Sequence, residues 1–458
     1  MKIVILGAGQ VGSTVASALV HEDNDITIVD KDEQRLKELQ DQLDIRSVLG
    51  YASHPKVMER AGIEDADLVI ALTSSDEVNM IACQIAYTLY NVPTRIARVR
   101  AAAYTDRAEI FHREHSPVDV LISPELLLTQ YIAGLIEYPG TLQVMDFADG
   151  KAQLVATEAE AGGLLVRQKL YTLAQHMPGQ SDARLAAIYR HGKLILPEGS
   201  TIIEENDIVF FLAATRDIPA VMKELRPIDN PIRRVILAGG GNIGKNLARQ
   251  LERDHHVKVI ERDPVRAESI AEDLSKTIVL VGDCTDGGLL REESIDSTDV
   301  YCVLTNDDAA NILSALQAKR MGAKKVIAII NRPSYVDLME SGTIDIAVSP
   351  QQITIGSLLA HIRRGSIVRV HSLRSGAAEA IEAIALGDRR SSKVVGRSLE
   401  ELDLPEGTTI IGIVRGVDVI IAHHDTFIEE HDHVLLFVPD KKQIHAVERL
   451  FQVSAAFV

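Results

Sequence analysis

Two glycine runs, Gly7-Ala8-Gly9-Gln10-Val11-Gly12 and Gly239-Gly240-Gly241-Asn242-Ile243-Gly244, repeat at an offset of 232 positions in a chain of 458 residues. Each follows a short apolar segment, Lys2 to Leu6 and Arg234 to Ala238, and leads into a helical pattern. That context separates a strand, turn and helix that cradle a phosphate from a chance cluster of glycines. In such a turn the first glycine permits the tight bend and the second lets backbone N–H groups approach a pyrophosphate; the third lets helix and strand pack closely. The chain therefore reads as a duplicated dinucleotide-binding unit.

The rest of that fingerprint is present twice. A second strand, Ile26 to Val29, runs into Asp30, and its counterpart, Lys258 to Ile260, runs into Glu261. A carboxylate there can accept hydrogen bonds from both hydroxyls of an adenosine ribose, which favours NAD(H) over its 2′-phosphorylated relative. Lys31 and Arg262 follow immediately, and a neighbouring cation softens that discrimination. The echo extends to Leu49-Gly50 with Val281-Gly282. It also links Leu72-Thr73-Ser74-Ser75-Asp76 and Asn79 with Leu304-Thr305-Asn306-Asp307-Asp308 and Asn311, all at the offset of 232. Thr73 and Ser74, like Thr305 and Asn306, are suited to hydrogen-bonding ribose or phosphate beyond a fourth strand.

The fifth strands differ between the copies. Ile96-Ala97-Arg98-Val99-Arg100 answers to Ile327-Ala328-Ile329-Ile330-Asn331 at an offset of 231. Side chains alternate along a strand, so Arg98 and Arg100 are expected on one side of the sheet's carboxyl edge, within reach of a terminal phosphate. The first site is thus expected to hold phosphate-rich ligands, ATP or ADP, more tightly than the second. Asp307, standing where the first copy has Ser75, adds a repelling carboxylate to that second site.

A smaller element is also repeated. Ile188-Tyr189-Arg190 and Thr201-Ile202-Ile203-Glu204-Glu205-Asn206-Asp207 return as Ile413-Val414-Arg415 and Thr426-Phe427-Ile428-Glu429-Glu430-His431-Asp432 at an offset of 225, so the whole half-chain is duplicated. Short alternating strands and turn signals such as His191-Gly192 and Arg415-Gly416 mark it as a small α+β module. In each large module, strands near Lys2, Ile26, Ser47, Leu68, Arg95 and Val120 alternate with helices, which implies a parallel sheet wound on both faces. Ser123-Pro124-Glu125 and Ser349-Pro350-Gln351 open amphipathic connecting helices. The expected fold class is α/β: two Rossmann-like, doubly wound parallel-sheet domains, each followed by a small α+β domain. Boundaries are expected at 1–140, 141–226, 232–365 and 366–458.

Composition narrows the partners. A net charge of −17 argues against nucleic acid or an anionic membrane surface, since both need basic patches. The chain enters its first strand at Met1-Lys2-Ile3, leaving no room for a signal peptide, and no apolar stretch approaches the roughly 18 residues that span a bilayer. A soluble cytoplasmic protein without direct membrane insertion is expected. Cys83, Cys284 and Cys302 are too few and scattered for a disulfide framework or a zinc site. Four histidines, His423, His424, His431 and His433, crowd the last module, but adjacent His423 and His424 should point to opposite faces of a strand and the first copy has no matching set. No metal site is assigned. The acidic runs at Glu204 and Glu429 are expected to form solvated turns.

The paired modules, the Met1 to Gly12 opening, the Leu72-Thr73-Ser74-Ser75-Asp76-Glu77 turn and the tandem duplication together resemble the RCK (KTN) domains that regulate potassium channels and transporters. Within that family the tandem of two complete units is similar to the TrkA-type regulatory subunits of Trk potassium uptake systems. The resemblance implies a homo-oligomeric ring, most simply a tetramer, under a TrkH-type potassium-translocating membrane partner, with nucleotides biasing its shape. Apolar runs such as Leu126-Leu127-Leu128 and Leu358-Leu359-Ala360 suggest helical faces that such assembly would cover. The rival reading is an NAD-dependent oxidoreductase with a duplicated cofactor domain. Hydride transfer needs an acid or base group poised against substrate, and no histidine and lysine pair follows either fourth strand, so no catalytic residue is assigned.

Overall fold

The computed structural model describes residues 1–20, 24–105, 107–112, 115–173, 182–227, 231–332, 335–336, 344–362, 366–373 and 378–453. They form two compact units, one of Met1–Leu127 with Pro350–Leu358 and one of Leu128–Ser349 with Leu359–Val458. Of the expected junctions, Ile228, Asp229 and Asn230, and residues 363–365, lie outside the described residues.

In the first unit, strands β1 (Lys2–Leu6), β2 (Asp25–Asp30), β3 (Arg46–Leu49), β4 (Leu68–Ala71), β5 (Thr94–Arg98) and β6 (Val120–Ile122) form one sheet in the order β3-β2-β1-β4-β5-β6. Its pairings are parallel. Central strands of such a sheet are covered on both faces and read as continuous apolar runs. In β1 every residue but Lys2 is buried, and in β4 all are. The strand order reverses direction between β1 and β4, which opens a crevice at their carboxyl ends where ligands of such folds sit. Asp32 caps the helix Glu33–Gln42 through the Gln34 and Arg35 amides, and Ser75 caps the helix Asp76–Tyr90 through the Val78 amide.

The second unit contains a second sheet of the same kind and two smaller sheets. After β7 (Thr141–Phe147), β8 (Ala152–Glu158), β9 (Ala183–Arg190), β10 (Lys193–Ile195) and β11 (Ile208–Ala214) come β12 (Arg234–Ala238), β13 (His256–Glu261), β14 (Ile278–Val281), β15 (Val300–Val303), β16 (Lys325–Ile329) and β17 (Ile346–Val348). These last six are parallel in the order β14-β13-β12-β15-β16-β17. The chain ends with β18 (Ile367–Leu373), β19 (Ala378–Ile384), β20 (Thr409–Arg415), β21 (Asp418–Ile421) and β22 (His433–Val438). The small antiparallel sheets run β10-β9-β11-β8-β7 and β18-β19-β22-β20-β21, one topology read in opposite directions. They share a core: Phe147, Leu154, Phe210 and Leu212 cluster with Ile411, Val414, Leu435 and Phe437. Gln143 Nε2 donates to the Ser372 carbonyl at 2.9 Å and the Ala148 amide to Glu382 Oε2 at 3.0 Å.

Three local expectations change. Leu128, Leu358, Leu359 and Ala360 are buried within the chain itself and only Leu126 of the runs is well exposed, so these helices do not carry an argument for assembly. The acidic turns are not wholly solvated: Asp207 and Asp432 are each 1% exposed and grip Arg190 and Arg415. β21 ends at Ile421, so His423 and His424 lie beyond the strand, while His433 Nδ1 meets Glu382 Oε1 at 2.5 Å. Cys83 and Cys302 are buried, and desolvation pushes each thiol up to about 12.

Candidate functional site

The two glycine turns divide their glycines by role. Gly7 has φ +111°, and a Cβ there would come within 3.0 Å of the Leu72 and Thr73 backbone; Gly239 repeats this against Leu304. At Gly12 a Cβ would lie 1.9 Å from the Gly7 carbonyl oxygen, and at Gly244 the same distance from that of Gly239. These four are glycine because the fold leaves no room. Gly9 and Gly241 are different: an added Cβ meets nothing within 4 Å. The space in front of the middle glycine serves no packing, and a pyrophosphate approaching backbone N–H groups fits it.

Just behind that space begin the helices Gln10–Val20 and Asn242–Leu251, with Val11 and Ile243 in their first turns. Neither has an acid in that turn, whereas the helices Glu33–Gln42 and Asp76–Tyr90 both do. The partial positive charge of these N-termini therefore meets no acid of their own first turns, and an anion could be held there.

The carboxylates expected to hold ribose are braced from behind. Asp30 Oδ2 accepts from the Ala8 amide at 2.6 Å and Oδ1 from the Asp32 amide at 2.9 Å. Glu261 takes the corresponding bonds from the Gly240 and Asp263 amides, both at 2.9 Å, and Arg266 lies 3.6 Å from its Oε2. A Cβ on Gly240 would come within 2.4 Å of Ile270 Cδ1 and 3.0 Å of Glu261 Oε2, so the residue is closely packed against the carboxylate it braces. Ala8 fills the equivalent place in the first copy.

At the opposite lip of each crevice, Thr73 and Thr305 are held in place by a buried asparagine. The Thr73 amide and hydroxyl both donate to Asn79 Oδ1, at 2.9 and 2.6 Å. Asn79 Nδ2 in turn donates to the carbonyls of Thr73 and Arg98. Thr305, Asn311 and the Ile329 carbonyl repeat the arrangement. Asn79 and Asn311 are wholly buried and tie the ends of the fourth and fifth strands together. Their place in the 232-residue echo was the available signal. Asp76 accepts the amides of Arg100 and Ala101, and Asp308 those of Asn331 and Arg332. Ser74 contributes its carbonyl, which receives the Arg100 guanidinium, and Asn306 is exposed beside Thr305. Asp307 caps the helix Asp308–Arg320 through the Ala309 and Ala310 amides.

Arg98 and Arg100 do not share a strand, since β5 ends at Arg98. Arg100 Nε lies 3.4 Å from Asp76 Oδ1, and Arg98 reaches Glu125 at 3.8 Å. Burial lowers the Arg98 guanidinium from its ordinary pKa, partly offset by the Glu125 charge. Both therefore already hold acid partners. No group of His, Cys, Asp and Glu among the described residues could hold a metal ion, and no described helix is long and apolar enough to cross a membrane.

Comparison with known proteins agrees with this duplicated geometry. The TrkA-N domain family matches residues 3–124 and 235–350, and the TrkA-C domain family matches 159–226 and 389–452. The Trk system potassium uptake protein TrkA of Halomonas elongata is 58% identical over 457 residues, covering 100% of each chain. Among solved structures, the GsuK RCK domain superposes with a TM-score of 0.61 at 19% identity, over 98% of this chain and 94% of that one. A GsuK channel bound to NAD gives 0.60 at 19% identity, over 98% of this chain and 78% of that one. The fold is thus that of tandem RCK domains, and with 58% identity along the full length of a potassium uptake protein the chain belongs to the TrkA family of Trk system potassium uptake proteins, a family of transport proteins rather than of enzymes.

Proposed function

We propose that the chain is the nucleotide-sensing regulatory subunit of a potassium uptake system. It binds NAD(H), and also ATP or ADP, at its two glycine turns, and it controls a TrkH-type membrane partner from the cytoplasmic face as a homo-oligomeric ring, most simply a tetramer. The observation that carries the reading is the space at Gly9 and Gly241, unfilled by any neighbour within 4 Å, between an acid-free helix N-terminus and a braced carboxylate. A bound nucleotide supplies negative charge at that N-terminus. The chain supplies the amides, the ribose acid and the staples that fix the lip. Control further requires that the ligand bind two ring shapes unequally, because equal affinity shifts nothing. For assembly, the repeat-equivalent side chains Ile81 and Leu313 are 51% and 61% exposed and offer apolar surface to cover.

Calorimetry with NADH, ATP and ADP on the full chain tests this. A Gly9→Val protein should fold like the parent, because nothing occupies the space, yet lose first-site NADH affinity by at least about a hundredfold as charge-assisted amide contacts are blocked. Unchanged NADH binding by a folded Gly9→Val, Gly241→Val protein would falsify the proposal.

ATP should prefer the first site, where Arg98 and Arg100 stand against Ile329 and Asn331. A phosphate there competes with Glu125 and Asp76, so the preference is expected to be about tenfold rather than the hundredfold that unpaired guanidinium groups would give. Equal ATP affinity in the Gly9→Val and Gly241→Val proteins would refute that asymmetry.

A further inference from the structure

The sheet order sets out a ligand's path strand by strand. The glycine turn follows β1, the ribose acid ends β2, and β3 is the next strand outward, about 4.8 Å further. A base attached to a ribose held at β2 therefore falls at the carboxyl end of β3. Leu49 is in register with Asp30, and Val281 with Glu261. Both are exposed aliphatic side chains, at 43% and 57%. The Gly50 amide bonds the Asp30 carbonyl at 2.9 Å, as the Gly282 amide bonds that of Glu261. To this point the copies are chemically alike.

At the next residue they part. The first copy has Tyr51, 61% exposed, its ring beside that of His54 with centroids 5.1 Å apart and planes inclined by 35°. The second copy has Asp283, also exposed. Asp283 Oδ1 accepts from the Thr285 amide and hydroxyl at 2.8 and 2.7 Å, which fixes the carboxylate. Those bonds, the hydroxyl's first, hold the Asp283 carboxyl below the usual carboxylate range. Among the described residues no donor is bonded to its Oδ2.

We infer that the two nucleotide sites read the adenine base by different chemistry: Tyr51 presents an aromatic face to the base at the first site, whereas Asp283 accepts a hydrogen bond from the 6-amino group at the second. The inference rests on the nucleotide reading above. An aromatic face tolerates any purine, while a carboxylate placed against the 6-amino group meets an acceptor oxygen in a 6-oxo base and can regain a donor only by shifting to the ring N1–H. Only the second site is therefore selective for the 6-amino group.

The probes are NADH and its hypoxanthine analogue, in which the 6-amino group is an oxygen. Titrated into the Gly9→Val protein, where the second site alone remains, the analogue should bind about tenfold to a hundredfold more weakly than NADH. In the Gly241→Val protein the two should agree to within about threefold. Tyr51→Ala, added to Gly241→Val, should weaken both dinucleotides about tenfold. Asp283→Asn, added to Gly9→Val, should remove most of the discrimination, because an amide can turn either its oxygen or its NH2 to the base. Equal discrimination at the two sites, or unchanged first-site affinity in the Tyr51→Ala protein, overturns the inference while leaving the nucleotide sites standing. Absence of NADH binding in both single-lesion proteins overturns the nucleotide reading as well.

Discussion

Gly12→Ala is expected to unfold the first nucleotide-binding module or prevent its accumulation, although alanine is the best of helix formers. In an open helix the exchange would gain about 1 kcal/mol. Here the new Cβ would sit 1.9 Å from the Gly7 carbonyl oxygen, a backbone atom with no rotamer to escape into. Relief requires moving the helix Gln10–Val20 off β1, and that separates Val15, Ala16 and Leu19 from a core in which each is at most 1% exposed. The cost should exceed about 4 kcal/mol, in the range reserved for overpacking and broken cores. Gly244→Ala should do the same in the second module, for the same 1.9 Å contact with Gly239. Thermal or urea denaturation of purified protein measures it. A Gly12→Ala chain melting within a few degrees of the parent would show that helix and strand have slack. Set beside Gly9→Val, which should leave stability intact and remove binding, the pair separates the glycines that build the turn from the one that leaves room for a ligand.

The sequence displayed the large modules well because their physics is local. A buried parallel strand such as Leu68 to Ala71 is a continuous apolar run, and a helix opening after Gly12 or capped by Ser75 announces itself within a few residues. The 232-residue echo then supplied the acid and the lip. Contacts between distant segments were not legible. That Leu128 and Leu358 would be covered by their own chain could not be told from their apolar character, which states a need for cover but not its source. The alternation that put Arg98 and Arg100 on one face assumed a strand two residues longer than β5, which gives way at Arg98 to a segment that Asp76 fastens at Arg100 and Ala101. Nor does the glycine run foretell that Ile270, thirty residues on, packs close against Gly240. The acidic turns misled for a related reason: Glu204, Glu205 and Asp207 read as one solvated run, yet a single buried member of that run governs its structure.

That member supports the second large effect. Asp207 receives Arg190 Nε at 2.8 Å on Oδ1 and the terminal guanidinium nitrogen at 2.7 Å on Oδ2, while the Glu204 amide adds a further bond at 2.8 Å. The same guanidinium reaches the Ile202 carbonyl, and Asn206 turns the chain through a positive φ of 68°. Arg415, Asp432, Glu429, Phe427 and His431 reproduce every contact. A buried pair of this kind is a weak source of net stability, because desolvating two charges cancels most of their attraction. Removing one partner is another matter. Arg190→Ala strands a carboxylate that is 1% exposed, and should cost about 3–5 kcal/mol. Glu204→Ala, which loses only a half-exposed ion pair, should cost under about 1 kcal/mol. Asp207→Asn in the Arg190→Ala background should recover part of the loss, since a neutral amide is easier to leave buried than a charge. Because the two small modules share one core, Arg190→Ala should lower a transition that involves both, while the NADH binding proposed at Gly9 and Asp30, in the other compact unit, should persist. Denaturation of the parent, the Arg190→Ala and Asp207→Asn single variants and their double as a double-mutant cycle reads the coupling directly. An Arg190→Ala cost below about 1 kcal/mol would mean that Asp207 finds water or another donor once the guanidinium is gone, and that the clamp is dispensable.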